Sequence, residues 1–212
     1  MSIENKYPVS ELAALFNAAF LHTENTILCG GYEEPVYLPA TNKHPHHRIC
    51  FTRDYFRSAL HEVAHWCVAG KVRRQLLDYG YWYYPDGRNQ AQQQAFEAVE
   101  IKPQSYEWLL SLSAGHPFEV SLDNLNGTAT PDRFAFTEKV ILHTVSLFTD
   151  QSMKLPERLS IFCTKLQAAF QQPALSRQQI VQAGRALLYQ VDSERADIMF
   201  KGVKPCSDFV LA

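Results

Sequence analysis

A pair of histidines one helical turn apart is the feature of this sequence that most directly suggests chemistry. His61 and His65 are the two histidines of a His-Glu-Val-Ala-His (HExxH) motif. A helix turns once every 3.6 residues, so positions 61 and 65 stack on one face, where two imidazoles can share a cation. Glu62 stands beside that cation and can handle a proton or orient a water molecule. The motif predicts a metal-dependent enzyme in which His61 and His65 are ligands and Glu62 is catalytic.

The predicted helix around this motif is apolar at most positions. It extends from Asp54 to Ala69, with Thr52 as the expected N-cap and Gly70 as the expected left-handed residue after its end. Its polar or small positions form one stripe, made up of Ser58, His61, Glu62, His65 and Ala69. Burial of His61, Glu62 and His65 without partners would be costly, and a bound cation would relieve that cost.

A catalytic metal site usually has three protein ligands and one open position. No histidine lies between positions 66 and 115, and position 71 is lysine, which excludes the extended HExxHxxGxxH arrangement. Glu97 and Glu100, on the next predicted helix, are three residues apart and share a face. Spacing alone leaves both open as the third ligand. We favour Glu100 because Gln104, four residues later, can orient a ligand.

Two other segments carry side chains that suit a site. A second histidine cluster, interrupted by Pro45, is predicted to lie on a loop and consists of His44, His46 and His47. It is either an exposed turn or a flank of the metal site. The tyrosine-rich stretch 78–86 is either core or a wall of the site, because aromatic crowding is typical of both.

The composition and the hydrophobic periodicity predict a mainly α fold with a small sheet. Hydrophobic residues make up 46% and charged residues 20% of 212 residues, which is typical of a globular protein with a core. We predict a single domain over 1–212, with the metal site between the HExxH helix and the following glutamate-bearing helix. Besides the HExxH helix, the predicted helices are Ser10 to His22, Asn89 to Ile101, Pro103 to Leu112, Thr130 (as N-cap) to Thr149, Glu157 to Gln171 and a last helix capped by Ser176 and Gln179; the predicted strands are 36–38, 48–51 and 118–122.

Several classes of function are disfavoured. The formal net charge is −2 with scattered basic residues, so no direct contact with nucleic acid is expected. No signal peptide and no apolar run of membrane-spanning length is recognised, and no glycine-rich motif suggests a nucleotide cofactor. Five cysteines without a CxxC pair are typical of reduced thiols, which predicts a cytoplasmic protein.

Two segments together resemble a known family. Ser58-Ala-Leu-His-Glu-Val-Ala-His-Trp66 and Val99-Glu-Ile-Lys-Pro-Gln-Ser-Tyr-Glu-Trp108 are similar to the bacterial elongation factor P hydroxylases. HExxH alone is shared with many metalloproteases, whereas its combination with the second segment is more specific. The chain length and the order of the motifs also agree, so the resemblance covers nearly the whole chain.

The resemblance implies a particular reaction. Elongation factor P in such systems carries a lysine that a separate ligase extends with β-lysine, and the hydroxylase then adds a hydroxyl group to the modified lysine. The family would use a two-histidine, one-carboxylate centre, with Fe(II) as the metal and molecular oxygen as co-substrate. Carried onto this chain, His61 and His65 become ligands, Glu100 the carboxylate and Glu62 an acid or base. The partner would be elongation factor P carrying a β-lysyl-lysine, with no membrane involved.

Two rival interpretations come from the residues alone. The same ligands suit Zn²⁺ and hydrolysis, with Glu62 as the base of a peptidase. A non-catalytic module with a structural metal would need a fourth protein ligand, for which only the 44–47 cluster offers obvious histidines.

Overall fold

Helices dominate the part of the chain that the computed structural model describes, which is residues 7–80, 86–122, 124–149 and 155–201. The predicted fold class, mainly α with a small sheet, is confirmed. In chain order the elements are α1 (Val9–Glu24), β1 (Thr26–Tyr32), β2 (Val36–Leu38), β3 (His47–Thr52), α2 (Phe56–Val68), two short 3-10 turns (Arg73–Gln75 and Leu77–Gly80), α3 (Gln90–Ala114), α4 (Arg133–Ser146), α5 (Glu157–Ala169), α6 (Arg177–Val191) and α7 (Ser193–Met199).

The small sheet precedes the HExxH helix directly. Its strand order is β1-β3-β2, with β1 parallel and β2 antiparallel to the central strand β3. Both predicted strands in this region are confirmed, but the sequence did not predict β1. The Gly30-Gly31 pair inside β1 is typical of a turn, so the sequence pattern did not indicate a strand. In the structure, the pairing of β1 with β3 is irregular at these glycines, between Cys29 and Tyr32.

Helix α2 carries the HExxH motif and begins later than the sequence predicts. Its N-cap position is Tyr55, without a side-chain cap, so the prediction of Thr52 as N-cap is wrong. Thr52 remains the last residue of β3, and its N–H donates to the Ser58 hydroxyl at 3.1 Å. The prediction of a left-handed Gly70 is also wrong, because the helix ends at Val68 through an extended Ala69. The apolar face of α2 packs in the core, with Leu60, Val63, Ala64 and Trp66 inaccessible to solvent.

Helix α3 is a single helix where the sequence predicts two. It continues through Pro103, whose ring lacks the N–H that would bond the carbonyl of Val99. Val99 is exposed, so solvent can satisfy that carbonyl, whereas Gln104 to Leu110 are buried and hold the helix by packing. Tertiary burial therefore outweighs the local cost of the proline.

The segment Phe118 to Leu122 is not a strand, although its residues alternate in burial. Val120 and Leu122 are buried, as the pattern predicts. The backbone of Ser121, however, pairs with a side chain: its N–H donates to Gln104 Oε1 at 2.9 Å, and its carbonyl accepts from Gln104 Nε2 at 2.8 Å. The glutamine amide thus supplies the hydrogen bonds that a neighbouring strand would otherwise supply.

The helix caps in the second half of the sequence are partly as predicted. Asp132, rather than Thr130, is the N-cap of α4, and its side chain accepts from the N–H of Ala135. The capping box of Ser176 and Gln179 at the start of α6 is confirmed. The observed bounds of α5 differ from the predicted bounds by no more than two residues. The same is true of α1, near the start of the chain.

Two compact units account for the chain. The first contains Met1–Tyr83, Tyr106–Phe118 and Leu155–Ala174, with the sheet and helices α1, α2 and α5; the second contains Tyr84–Ser105, Glu119–Lys154 and Leu175–Ala212, in which α4 packs on α6. The single-domain prediction over 1–212 stays a prediction. Within the described ranges no helix is both long enough and apolar enough to cross a membrane.

Arg158 of helix α5 secures the end of the HExxH helix. Its guanidinium donates to the carbonyls of Trp66 at 2.8 Å, Cys67 at 3.5 Å and Ala69 at 2.6 Å, and lies 4.3 Å from the Trp66 ring centroid. These are carbonyls that a helix end leaves without intrahelical partners. The basic side chain at the C-terminus also complements the helix dipole.

We expect Arg158→Met to lower the free energy of unfolding by about 3 kcal/mol, because it leaves buried carbonyls without donors and removes the contact with Trp66. Urea unfolding measures this change. Lys165→Met, an exposed change on the same helix, is the control and should shift stability by less than about 0.5 kcal/mol. Equal effects of the two changes would contradict this role for Arg158.

Candidate metal centre

The two histidines of the motif face each other on helix α2. The Nε2 atoms of His61 and His65 lie 3.1 Å apart, and both side chains are half-buried. The (i, i+4) spacing produces this approach, since each turn of the helix brings the next ring over the previous one. The sequence prediction that these two rings can meet around one cation is consistent with this geometry.

Glu107 fixes the orientation of His61. Nδ1 of His61 donates to Glu107 Oε2 at 2.7 Å, and Arg57, one turn earlier on α2, places its Nε 3.6 Å from Glu107 Oε1. Glu107 is 1% exposed. With the proton held on Nδ1, Nε2 of His61 carries a lone pair that can serve as a ligand, which is the usual arrangement for a metal-binding histidine.

One face of helix α3 carries three polar residues that belong to the centre. Glu100, Gln104 and Glu107 are separated by four and three residues and therefore lie along the same face. Gln104 is fully buried, and its Nε2 donates to Glu100 Oε2 at 3.2 Å while also holding Ser121. This contact agrees with the prediction that Gln104 orients Glu100.

His61, His65 and Glu100 are the predicted ligands, and the structure brings them together. One ligand atom of each lies within 4.8 Å of the others, and Glu100 is 3% exposed. Glu97, the alternative glutamate, is not in this group; its Oε1 accepts from Gln93 Nε2 at 3.2 Å. Two imidazoles and a buried carboxylate are a donor set that fits a divalent cation such as iron or zinc. Ligation itself stays a prediction.

Glu62 lies beside the histidines and is half-buried. Burial, reinforced by the Glu62 carboxylate, raises the pKa of Tyr79 well above its usual value. The same carboxylate raises the pKa of the Cys50 thiol, although other groups there outweigh it. Glu62 thus places negative charge near the centre, and its catalytic role stays a prediction.

The histidine cluster at 44–47 contacts residues of its own turn and Asn25, which follows α1. The His44 N–H donates to the Thr41 carbonyl, and His46 Nδ1 lies 2.7 Å from Asn25 Oδ1. His47 begins β3, and its Nδ1 accepts from the N–H of Ala40 at 3.0 Å. None of these histidines belongs to the ligand group found among the described residues. Of the tyrosine-rich stretch 78–86, positions 81–85 lie outside the described residues; Tyr79 is buried and stacks on Tyr37.

The contact between Glu107 and His61 is the feature of the site that the sequence interpretation missed. Its signal was present, because position 107 lies seven residues, or two helical turns, after Glu100. The break predicted at Pro103 hid that signal, since two separate helices need not present positions 100 and 107 on one face. Only a continuous α3 makes the pattern visible.

We expect Glu107→Gln to weaken metal binding by about 10-fold to 100-fold, because the loss of the carboxylate removes the charge that holds His61 in its binding tautomer. Competition with a chromophoric chelator measures the affinity. Glu157→Gln, at an exposed glutamate, should leave the affinity unchanged. An unchanged affinity in Glu107→Gln would contradict the orienting role.

The fold and the site define a mainly helical protein in which two histidines of an HExxH helix and a glutamate of the following long helix form a candidate metal centre. The profile of the family described as elongation factor P hydroxylase matches residues 15–180. An elongation factor P lysine hydroxylase from Haemophilus influenzae is 43% identical over 153 residues, which is 72% of this chain and 84% of that relative. The chain belongs to the elongation factor P hydroxylase family and is an enzyme. The resemblance found in the sequence is confirmed.

Proposed function

We propose that this chain hydroxylates the β-lysylated lysine of elongation factor P with an iron ion held by His61, His65 and Glu100. The observation that carries the choice of substrate is the family membership together with the 43% identical relative named as an elongation factor P lysine hydroxylase. The observation that supports the metal is the convergence of two imidazoles and one carboxylate. Two histidines and one carboxylate are the ligand set of many non-haem iron oxygenases.

The donor set of two imidazoles and one carboxylate suits both iron and zinc. The hydroxylation named for the family favours iron, because zinc has no redox chemistry with dioxygen. The Nε2 atoms of His61 and His65, 3.1 Å apart, can both reach one cation. Iron bound in this way would supply activation of dioxygen. With His61, His65 and Glu100 as its protein ligands, such a centre would keep an open position for a small molecule.

The residues of the chain have separate tasks in this proposal. Glu107 holds the proton of His61 on Nδ1, and Gln104 holds the carboxylate of Glu100. Glu62 has no predicted ligand role, and its half-buried carboxylate can exchange a proton with the substrate or with water. Burial of the supporting residues keeps these side chains from adopting other orientations, which is how a precise site is maintained.

The charge of the site is consistent with a cationic substrate. Glu62, Glu100 and Glu107 are carboxylates placed around two histidines, while Arg57 partly compensates Glu107. With a divalent cation bound, the three carboxylates, Arg57 and the cation have no net formal charge, so Glu62 and Glu97, carboxylates that are not proposed ligands, would attract the ammonium groups. A β-lysyl-lysine side chain carries such groups, and opposite charges raise its local concentration.

Mass spectrometry of the modified partner tests this function. The iron-loaded protein is incubated in air, with ascorbate as reductant, with elongation factor P that carries β-lysyl-lysine. We expect the partner to gain the mass of one oxygen atom, and elongation factor P with an unmodified lysine to gain less. No gain with an occupied metal site would contradict the proposal. Metal-dependent cleavage of peptides that requires Glu62 would instead support a peptidase.

A further inference from the structure

Two cysteine thiols face each other across adjacent strands. Cys29 of β1 and Cys50 of β3 are register partners, and their Sγ atoms are 3.6 Å apart. Both are free thiols. Paired strands lie about 4.8 Å apart, and disulfides form when Cα atoms are about 4.4–6.8 Å apart, so the backbone already has a compatible spacing. Closing the bond requires the sulfur atoms to approach by about 1.5 Å.

The surroundings of the two thiols make them unequal. Cys50 is fully buried, whereas Cys29 is partly accessible and also lies 3.7 Å from the carbonyl oxygen of Ile49. The hydrogen bond from Cys29 lowers the pKa of Cys50 to about 7, with help from Tyr32 and Arg48 and against the effect of burial. The pKa of Cys29 is raised by the same contact. One thiolate next to one thiol is the state from which a disulfide forms most readily.

This thiol pair lies directly before the metal-binding helix in the same compact unit. Strand β3 ends at Thr52, and α2 begins at Phe56. The Ser58 hydroxyl accepts from the backbone N–H of Thr52, which ties the start of the helix to the end of the strand. The Glu62 carboxylate is close enough to act on the Cys50 thiol electrostatically. The pair is therefore a neighbour of the HExxH motif.

Hydroxylation with dioxygen has an electron requirement. One oxygen atom enters the C–H bond of the substrate and the other leaves as water, which consumes two electrons and two protons from a further donor. A dithiol that becomes a disulfide releases two electrons and two protons. Oxidation of the dithiol therefore releases the same number of electrons and protons as hydroxylation consumes.

We propose that Cys29 and Cys50 are a redox pair that supplies the two reducing equivalents for hydroxylation. This inference rests on the proposed function. The balanced reaction joins one substrate C–H, one dioxygen and the two thiols to give one C–OH, one water and the Cys29–Cys50 disulfide. An external dithiol then attacks the accessible sulfur of Cys29, releases Cys50 as a thiolate and restores the pair on forming its own disulfide.

The first test uses the metal-free protein. The protein is incubated with oxidised glutathione, alkylated and analysed by peptide mass spectrometry. We expect a Cys29–Cys50 disulfide, and we expect Cys163 to be alkylated because it stays a reduced thiol. The Cys29→Ser and Cys50→Ser variants should show no such intramolecular bond. Failure of wild type to form the bond across a range of glutathione ratios would overturn the inference.

The second test is a single turnover. Protein that has been loaded with iron, reduced and freed of small thiols is mixed with modified elongation factor P and dioxygen. We expect about one hydroxylated partner per chain, formed together with one disulfide, and roughly ten-fold less product from either serine variant. Cys163→Ser, which removes a buried thiol of α5, should behave as wild type. Circular dichroism and metal content verify that each variant is folded and loaded.

A parallel reaction with ascorbate distinguishes failure of the thiol redox role from failure of the proposed function. Ascorbate should restore product formation in the two serine variants, because it replaces the electrons of the thiol pair. Wild type that makes product while both thiols stay reduced would overturn the redox role alone. Wild type that makes no product even with ascorbate would contradict the proposed function and this inference with it.

Discussion

His65→Ala is expected to abolish stable metal binding and hydroxylation with little change in the stability of the metal-free protein. The imidazole of His65 is half-buried and faces the Nε2 atom of His61, so its removal would delete a proposed ligand without opening a large cavity in the core. We expect metal affinity to fall by more than about 100-fold, which exceeds the effect of losing an orienting partner. Metal content after dialysis and product mass measure the two losses.

His61→Ala should cause the same losses and a greater loss of stability. Glu107 is buried, and the loss of His61 removes its 2.7 Å hydrogen bond while the longer contact with Arg57, at 3.6 Å, remains. Leaving a buried carboxylate less well bonded costs about 1–3 kcal/mol. His46→Ala, in the turn before β3, is the matched control and should keep both metal and activity. Retention of a full equivalent of metal by either motif variant would contradict the assignment.

Glu100→Ala is the second change with a large expected effect. Glu100 is buried and bonded to Gln104, and its carboxylate belongs to the group formed with the two histidines. Its loss would remove the proposed third ligand and the negative charge that would offset the metal. We expect metal affinity to fall by more than about 100-fold and product formation to fall with it. Metal titration followed by product analysis measures both.

Glu97→Ala provides the matched comparison, because it removes a carboxylate three residues earlier on the same helix. Glu97 accepts a hydrogen bond from Gln93 and lies outside the ligand group. We expect a change in metal affinity of less than about two-fold to three-fold. Loss of metal in Glu97→Ala with retention in Glu100→Ala would show that the other glutamate is the ligand.

The HExxH helix illustrates what sequence could predict. A fixed spacing on a helix leaves few alternatives, so the approach of His61 and His65 followed from the geometry of one element. Glu100 required one further step, the presence of Gln104 on the same face, and the observed contact between them agrees with it. In both cases the evidence is local, within one or two helical turns.

The features that sequence missed depend on tertiary contacts. Pro103 predicts a break, yet α3 continues because the surrounding residues are buried. The role of Glu107 depends on that continuity, and the pairing of Cys29 with Cys50 depends on β1, whose glycines read as a turn. The non-strand at 118–122 depends on the Gln104 amide, a partner distant in sequence. A local sequence pattern does not show contacts with residues that are distant in the sequence.

The source of the added oxygen tests the central claim most directly. The iron-loaded protein is incubated with modified elongation factor P under dioxygen labelled with oxygen-18 in ordinary water, and in a parallel reaction under ordinary dioxygen in labelled water. An iron hydroxylase of the kind proposed should transfer the label from dioxygen into the lysine side chain. A label that comes from water, or a partner that gains no oxygen while the metal site is filled, would contradict the account.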